Sequence, residues 1–185
     1  MTTTELILEI LEQYSKAFGG GVPKTKLLKL AYLVEVKYKR RFMERITNAN
    51  WIYYLYGPYL REYDSILIND NINIANKNFE HKNMEIISLN DGCGSNNAAW
   101  EIKTFIGSIV RDYGKMELKD LLDYVYFETE PMIDAESRNE TLNFDSILPE
   151  EYYKVKELKI DPKIEKQILQ ELRKKAEALR GKRAQ

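Results

Sequence analysis

Apolar residues recur every three to four positions along much of this chain, and that spacing predicts about six amphipathic helices. Thr3 or Thr4 can cap the first helix, because a threonine hydroxyl can accept a hydrogen bond from a free N–H of the first turn. The second repeat is the clearest and predicts a helix that ends near Glu44. Its apolar positions are Leu27, Leu30, Ala31, Val34 and Tyr38. Further helical repeats begin near Trp100 and Leu118.

A short β element is expected between these helices. The segment "NWIYYLYG", residues 50–57, is rich in aromatic side chains that favour strands, and "MEIISL", residues 84–89, is a second strand candidate. Because Gly57 follows the first strand and Pro58 can begin a helix, we expect the pair to form a strand-to-helix corner. The whole pattern predicts a mainly α (α+β) fold, with the helices around one core and a two- or three-stranded β element.

Polarity divides the chain into three parts. Residues 1–133 carry the first helical repeats and the β element, and we expect them to form one domain. Residues 134–160 are mixed and mostly polar, which predicts a connecting segment. Residues 161–185 predict a C-terminal basic amphipathic helix that packs on the domain or extends from it.

Charge and hydropathy narrow the class of protein. The 185 residues are 44% apolar and 31% charged, so a folded core is expected rather than disorder. The net charge of -1 gives the whole chain no attraction to nucleic acid or to an anionic membrane, so any such attraction must be local. The N-terminus does not resemble a signal peptide and no run approaches the ~20 apolar residues of a membrane span, so we expect a cytoplasmic protein.

Two basic regions could supply a local attraction to nucleic acid. One is the polar side of the second helix, which we expect to be exposed. Its cations are Lys24, Lys26, Lys29, Lys37, Lys39, Arg40 and Arg41. The other is the Lys- and Arg-rich stretch of residues 173–183. A nucleic-acid-binding regulator is therefore an alternative function.

Residues that could carry catalysis are few. His81 is the one histidine and sits in a polar setting, and Cys93 has no adjacent cation that would lower the pKa of its thiol. Glu128 and Glu130 are two residues apart at a helix end, so their carboxylates would not face each other. We therefore predict no catalytic residue, no cofactor and no metal. A hydrolase with a carboxylate metal site stays open if Glu128, Glu130 and Asp134 cluster in space.

The stretch "NANWIYYLYGPYLREY", residues 48–63, is the most distinctive part of the sequence. Side chains alternate along a strand, so both faces of residues 51–57 are apolar or amphipathic. Tyrosine and tryptophan contribute much of the binding energy at protein interfaces, so part of this stretch is expected to dock a protein partner. For any single ring, packing against the first helices is the alternative.

Two segments resemble the SocA-like antitoxin domain, also called the Panacea domain. They are "KTKLLKLAYLVEVKYKRRF" and "NWIYYLYGPYLREYDSIL", which match the family's Lys-Leu-x-Lys-Leu-x-Tyr helix and its aromatic strand with a Tyr-Gly-Pro motif. The matching residues are Lys26, Leu27, Lys29, Leu30, Tyr32, Trp51, Tyr56, Gly57, Pro58 and Tyr59. The likeness covers residues 22–132, where "FIGSIVRDYGKMELKDLLDYVY" is similar to the family's later helix pair. The family commonly continues with Thr-His and a Trp, whereas this chain has "YFETEPM", so contacts made there are expected to differ.

The resemblance implies a non-enzymatic antitoxin of bacterial, archaeal or phage origin that binds a toxin encoded next to it. Known members neutralise such a toxin, and one presents its toxin to a protease. A role as a proteolysis adaptor and a homodimer contact are therefore both left open. The expected partner-binding residues are Trp51, Tyr54, Tyr56, Gly57, Pro58, Tyr59, Glu128, Glu130 and Met132.

Overall fold

Helices make up most of the computed structural model, which describes residues 1–79, 82–90, 92–93, 98–157 and 162–181. The α-helices are α1 (Thr3–Phe18), α2 (Lys24–Phe42), α3 (Tyr63–Leu67), α4 (Trp100–Gly114), α5 (Leu118–Phe127), α6 (Glu130–Ile133), α7 (Glu150–Glu157) and α8 (Pro162–Gly181). The strands are β1 (Val22–Pro23), β2 (Trp51–Tyr54), β3 (Gly57–Leu60), β4 (Ile72–Phe79) and β5 (Lys82–Leu89). The predicted fold class, mainly α with a small β element, is confirmed.

Helix α2 forms the centre of the core. It packs against α1, α4, α5 and β3, and most of its side chains are buried on every side. A helix that is covered all round belongs to the interior of a domain rather than to its surface. It ends at Phe42, close to the predicted end, and Met43 closes it in the left-handed conformation with a φ of 55°.

The cations of α2 are mostly turned inward, so the prediction of an exposed basic face is wrong. Lys29, Lys39 and Arg40 are each less than a tenth exposed. Lys26 is half-buried, and its Nζ donates to the carbonyl oxygen of Gly114 at the end of α4, at 3.1 Å. Helical periodicity predicts that every cation points outward. In the structure, however, the aliphatic stems of these side chains pack inside, and their charged ends reach acceptors on distant segments.

The first helix is capped one residue earlier than predicted. Thr2 Oγ1 accepts from the backbone N–H of Glu5 at 3.1 Å, and Glu5 Oε2 accepts from the backbone N–H of Thr2 at 2.7 Å. This reciprocal pair is a capping box, which satisfies two of the N–H groups that a helix start leaves free. The cap is therefore Thr2, not Thr3 or Thr4.

The five strands form two antiparallel sheets. In the larger sheet the order is β1-β5-β4, so β5 confirms the predicted strand at residues 84–89. The smaller sheet is the β2–β3 hairpin, in which Trp51 pairs with Leu60 and Tyr54 with Gly57.

Pro58 lies within β3, so the predicted strand-to-helix corner is wrong. Its partner in the register is Tyr53. The Tyr53 N–H donates away from β3 to the carbonyl of Glu140 at 2.8 Å, and the Tyr53 carbonyl accepts from Asn139 N–H at 2.8 Å. Tyr53 and Pro58 are thus a non-hydrogen-bonded pair of the antiparallel ladder. Proline is tolerated at such a position because no N–H is required of it there.

Residues 139–147 run along the outer edge of β2 and then enter the core. The Leu142 N–H donates to the Trp51 carbonyl at 2.8 Å, and Leu142, Phe144 and Ile147 are all buried. The segment predicted as a connection therefore covers the hairpin. The domain boundary at residue 133 stays a prediction.

The C-terminal helix α8 lies against α7. Arg173 of α8 donates to the hydroxyl of Tyr152 at 3.3 Å, and its guanidinium lies 5.7 Å from the centre of that ring. Among the described helices, none combines the length and the hydropathy needed to cross a membrane.

Candidate protein-binding surface

Trp51 anchors the β2–β3 hairpin in the core. Its side chain is 1% exposed and meets the ring of Tyr32 edge to face, with 5.4 Å between centroids. Tyr32 in turn packs against Phe144 at 5.9 Å, and its hydroxyl is hydrogen-bonded to the hydroxyl of Thr129 at 3.0 Å. The ring of Trp51 therefore holds the hairpin and offers no surface to a partner.

Lys29 of α2 fastens the hairpin from below. Its Nζ donates to the Pro58 carbonyl at 2.8 Å, and the side chain is 2% exposed. Burial lowers the pKa of the Lys29 ammonium to about 7, because a charged group is costly to keep away from water. A Cβ at Gly57 would lie 3.4 Å from Lys29 Cε and Nζ, which is a tight contact.

The turn of the hairpin projects its side chains into solvent. Leu55 and Tyr56 form a two-residue connection and are 57% and 70% exposed. Both keep negative φ angles, and Gly57 with a φ of 87° supplies the left-handed residue that closes the turn. Glycine adopts this conformation without strain, so the Tyr-Gly sequence fits the end of such a hairpin loop.

Helix α5 supports this turn through Tyr126. The Tyr126 hydroxyl donates to the Leu55 carbonyl at 3.1 Å, and its ring meets Tyr53 edge to face at 6.4 Å. The adjacent Phe127 is 71% exposed. Leu55, Tyr56, Tyr126 and Phe127 together are named the aromatic tip. The predicted residues of β2 and β3 thus meet the end of α5, directly before the predicted residue Glu128.

Tyr54 and Tyr59 cover one side of the hairpin and are half-buried. Their rings lie 5.4 Å apart, and the guanidinium of Arg138 lies 4.7 Å from the centre of the Tyr54 ring. The Tyr59 hydroxyl donates to the Asp64 carboxylate at 3.2 Å. These contacts fix both rings beside the aromatic tip.

The acidic residues after α5 are divided between core and surface. Glu130 accepts from the Arg40 guanidinium at 2.6 Å, and the same guanidinium nitrogen donates to the Glu128 carbonyl at 2.7 Å. The Glu128 side chain is exposed, whereas Met132 is buried. Of the three residues predicted here, Glu128 is therefore exposed, Glu130 is partly exposed and Met132 is not accessible.

Nine residues were predicted to bind a partner, and they differ in exposure. Trp51, Gly57, Pro58 and Met132 are buried and support the surface from within. Leu55, Phe127 and Ile133 were not among the nine, and all three are more than half exposed. The Tyr-Gly turn could have indicated the exposure of Leu55, because the side chains of a two-residue hairpin loop face solvent.

The described residues contain no group of three His, Cys, Asp or Glu side chains that could hold a metal ion. In the proposed carboxylate set, Glu130 is engaged by Arg40 instead. The Cys93 thiol donates to the side-chain oxygen of Asn71 at 3.1 Å. His81 lies outside the described residues.

The model of the family described as "Antitoxin SocA-like, Panacea domain" matches residues 27–131, more than half of the chain. The chain belongs to the SocA-like antitoxin family. The part that matches the SocA-like model begins in α2 and ends in α6, so it includes both hairpins and the aromatic tip. Helix α1 and the segment that covers β2 lie outside the SocA-like match. No match is found among curated proteins or among solved structures.

Proposed function

We propose that this protein is a non-catalytic antitoxin that binds and neutralises a toxin protein through its aromatic tip. The family supplies the class of partner. The observation that carries the choice of surface is the exposure of Leu55 and Tyr56 at the turn and of Phe127 at the adjoining end of α5, on a base that is buried and hydrogen-bonded. Grouped exposed rings of this kind are typical of protein-binding sites.

Rigidity is the first argument for this surface. The turn is held by the Tyr126 hydroxyl above, by Lys29 below and by Trp51 in the core. A surface that is already ordered loses little conformational entropy when a partner binds, so more of the contact energy becomes affinity.

The chemistry of the surroundings is the second argument. Arg138 and Glu128 are exposed polar residues near the tip, and Arg138 lies against Tyr54. An apolar centre with charged neighbours is the usual composition of a protein interface. A standard interface of ~800 Å² per partner would extend beyond the tip to include them.

Co-expression with the neighbouring gene tests the proposal. We expect the neighbour to arrest growth alone and the wild-type chain to restore growth. The double variant Tyr56→Ala/Phe127→Ala should lose this rescue while its thermal unfolding stays close to wild type. The matched control is Ile68→Ala/Trp100→Ala, which removes two apolar side chains that are 85% and 74% exposed elsewhere.

A harmless neighbour, or rescue by the tip variant equal to wild type, would contradict the proposal. A separate part of the proposal is that the antitoxin delivers the toxin to a protease. If it does, the half-life of the toxin in cells should fall when the antitoxin is present and recover when the protease is deleted. The proposal places both proteins in the cytoplasm.

The nucleic-acid alternative receives little support from the contacts of its cations. On α2, Lys29, Lys39 and Arg40 are buried, and in the tail Arg173 is engaged by Tyr152. The remaining basic residues of the tail include Lys182 and Arg183, which lie outside the described residues. We therefore do not propose it as a second function.

A further inference from the structure

A cavity of about 350 Å³ lies between α2, α4 and α7, and none of its lining residues belongs to the β2–β3 hairpin. Its lining includes four cations, Lys37, Arg40, Arg41 and Lys154, but a single carboxylate, Glu150. The volume falls at the lower end of the range for small-molecule sites. The composition indicates a preference for a negatively charged ligand.

Two of the four positive charges have no described carboxylate paired with them. Arg40 is bonded to Glu130 at 2.6 Å, and Lys154 to Glu150 at 2.9 Å. Lys37 and Arg41 form no salt bridge within the described part of the chain. They leave an excess of positive charge at the cavity.

Lys37, which lines the cavity, is hydrogen-bonded to a tyrosine of α5. Lys37 Nζ donates to the Tyr124 hydroxyl at 2.6 Å, and the Tyr113 hydroxyl donates to it at 3.1 Å. Burial by itself would raise the pKa of the Tyr124 phenol, yet these two hydrogen bonds and the charges of Lys37 and Arg40 lower it.

Aromatic rings stand beside the cations. The Arg40 guanidinium lies 4.4 Å from the centre of the Tyr153 ring, and the Arg41 guanidinium lies 6.0 Å from that of Phe105. Arginine held against a ring keeps its planar donors oriented, and arginine and lysine are the usual ligands of phosphate oxygens. Phe105 is buried, whereas the Tyr153 ring is partly exposed and is the apolar surface that an organic group could contact.

We propose that this cavity binds a small phosphorylated molecule, with Lys37 and Arg41 contacting its phosphate group. A phosphate group could come from inorganic phosphate or from a mononucleotide, and the volume of the cavity and the partly exposed Tyr153 ring favour the mononucleotide. This site is independent of the aromatic tip and of the toxin.

Calorimetric titration of the full chain with ADP, with inorganic phosphate and with adenosine tests the site. We expect saturable binding of ADP and none of adenosine. Lys37→Gln/Arg41→Gln should weaken ADP binding at least about tenfold, because two charge-assisted hydrogen-bond donors are removed. The matched control Lys115→Gln/Lys119→Gln removes the same charge from exposed positions outside the cavity and should stay within about twofold of wild type.

Lys37→Gln also removes the bond to Tyr124, so thermal unfolding of each variant is measured alongside. The single variant Arg41→Gln avoids this difficulty because Arg41 is exposed, and it should weaken binding with unchanged unfolding. If inorganic phosphate binds as tightly as ADP, the proposed phosphate site stands and the proposed contacts with a nucleoside are wrong.

Three results would overturn the whole proposal. They are no binding of ADP or phosphate, equal binding by the double variant, and binding only of single-stranded oligonucleotides with an affinity that grows with their length. The last result would instead favour the nucleic-acid reading.

Discussion

The two hairpins of this protein use their apolar residues in opposite ways. The β2–β3 hairpin has four residues in each strand, is covered by α2, α5 and residues 139–142, and exposes apolar residues only at its turn. The β4–β5 hairpin has eight residues in each strand and exposes Ile74 and Met84 along its length. Both hairpins therefore expose apolar side chains, and exposed apolar area alone does not distinguish them. What distinguishes the first hairpin is the rigid support beneath its exposed rings.

The largest expected effect is on the anchor of the β2–β3 hairpin. Trp51→Ala should lower the free energy of unfolding by about 3–5 kcal/mol, because it leaves a cavity where a large ring is fully buried. Ile74→Ala in β4 should lower the free energy of unfolding much less, since the Ile74 side chain is 41% exposed. Urea unfolding at neutral pH measures both. Equal losses would show that the two hairpins are supported alike.

The second prediction compares one lysine beneath each hairpin. Lys29 has a pKa of about 7 when folded, against an ordinary value of 10.5, so between these two values the unfolded chain binds more protons than the native one. Wild-type stability should therefore rise with pH across this window. Below pH 7 the free-energy cost of burying the charged Lys29 ammonium should be fully present. Lys29→Met should flatten that rise by an amount on the order of a few kcal/mol over the whole window.

The control for this pH effect is Lys24→Met beside the other hairpin. Lys24 Nζ lies 2.8 Å from Glu85 of β5 and 2.9 Å from Asp64 of α3, but all three side chains are at least partly exposed, so each pair should contribute only about 0–1 kcal/mol. Chemical unfolding of wild type and both variants at several values between pH 7 and 9.5 gives the comparison. An unchanged slope in Lys29→Met would show that the buried ammonium does not set the pH dependence.

The third prediction separates binding from stability at the aromatic tip. Tyr56→Ala should weaken toxin binding by about 2 kcal/mol or more, as expected for an exposed aromatic residue at the centre of an interface. Its free energy of unfolding should change by less than about 0.5 kcal/mol, because the ring is 70% exposed. Calorimetry with the purified toxin measures the binding, and Met84→Ala on β5 is the control. Loss of binding in the control as well would place the interface over both hairpins.

The smallest expected effect concerns the support of the turn. Tyr126→Phe keeps the ring and removes the hydroxyl that donates to the Leu55 carbonyl, which should cost about 1 kcal/mol of stability. Toxin binding should weaken mainly through faster dissociation, since the tip would be less ordered before it docks. Surface plasmon resonance separates the two rates. Unchanged dissociation would show that the turn is rigid without this bond.

The sequence predicted the elements whose signals are local. Helical spacing located α2, α4 and α5 because their buried faces repeat along a single segment. The Tyr-Gly-Pro motif and the α2 motif identified the family, which the family model confirms.

The features that the sequence did not predict depend on distant contacts. Proline is acceptable both at the start of a helix and at a non-hydrogen-bonded position of a strand. In this structure Pro58 lies in a strand, opposite Tyr53, whose own backbone groups pair with Asn139 and Glu140 instead. The inward cations of α2 are another case, because Arg40 finds its acceptors on Glu128 and Glu130. The aromatic tip likewise exists only because α5 brings Tyr126 and Phe127 to the turn.

Both edges of the small sheet are closed to an incoming strand near the turn. On the β2 side, the backbone groups of Tyr53 already pair with residues 139 and 140. On the β3 side, Pro58 has no N–H to offer and its carbonyl is taken by Lys29. A partner therefore cannot dock beside Tyr53 and Pro58 by adding a strand, a mode in which main-chain hydrogen bonds supply affinity. Choice of toxin would then depend on a few exchangeable side chains, so altering them should redirect the protein to a different target while its scaffold stays unchanged.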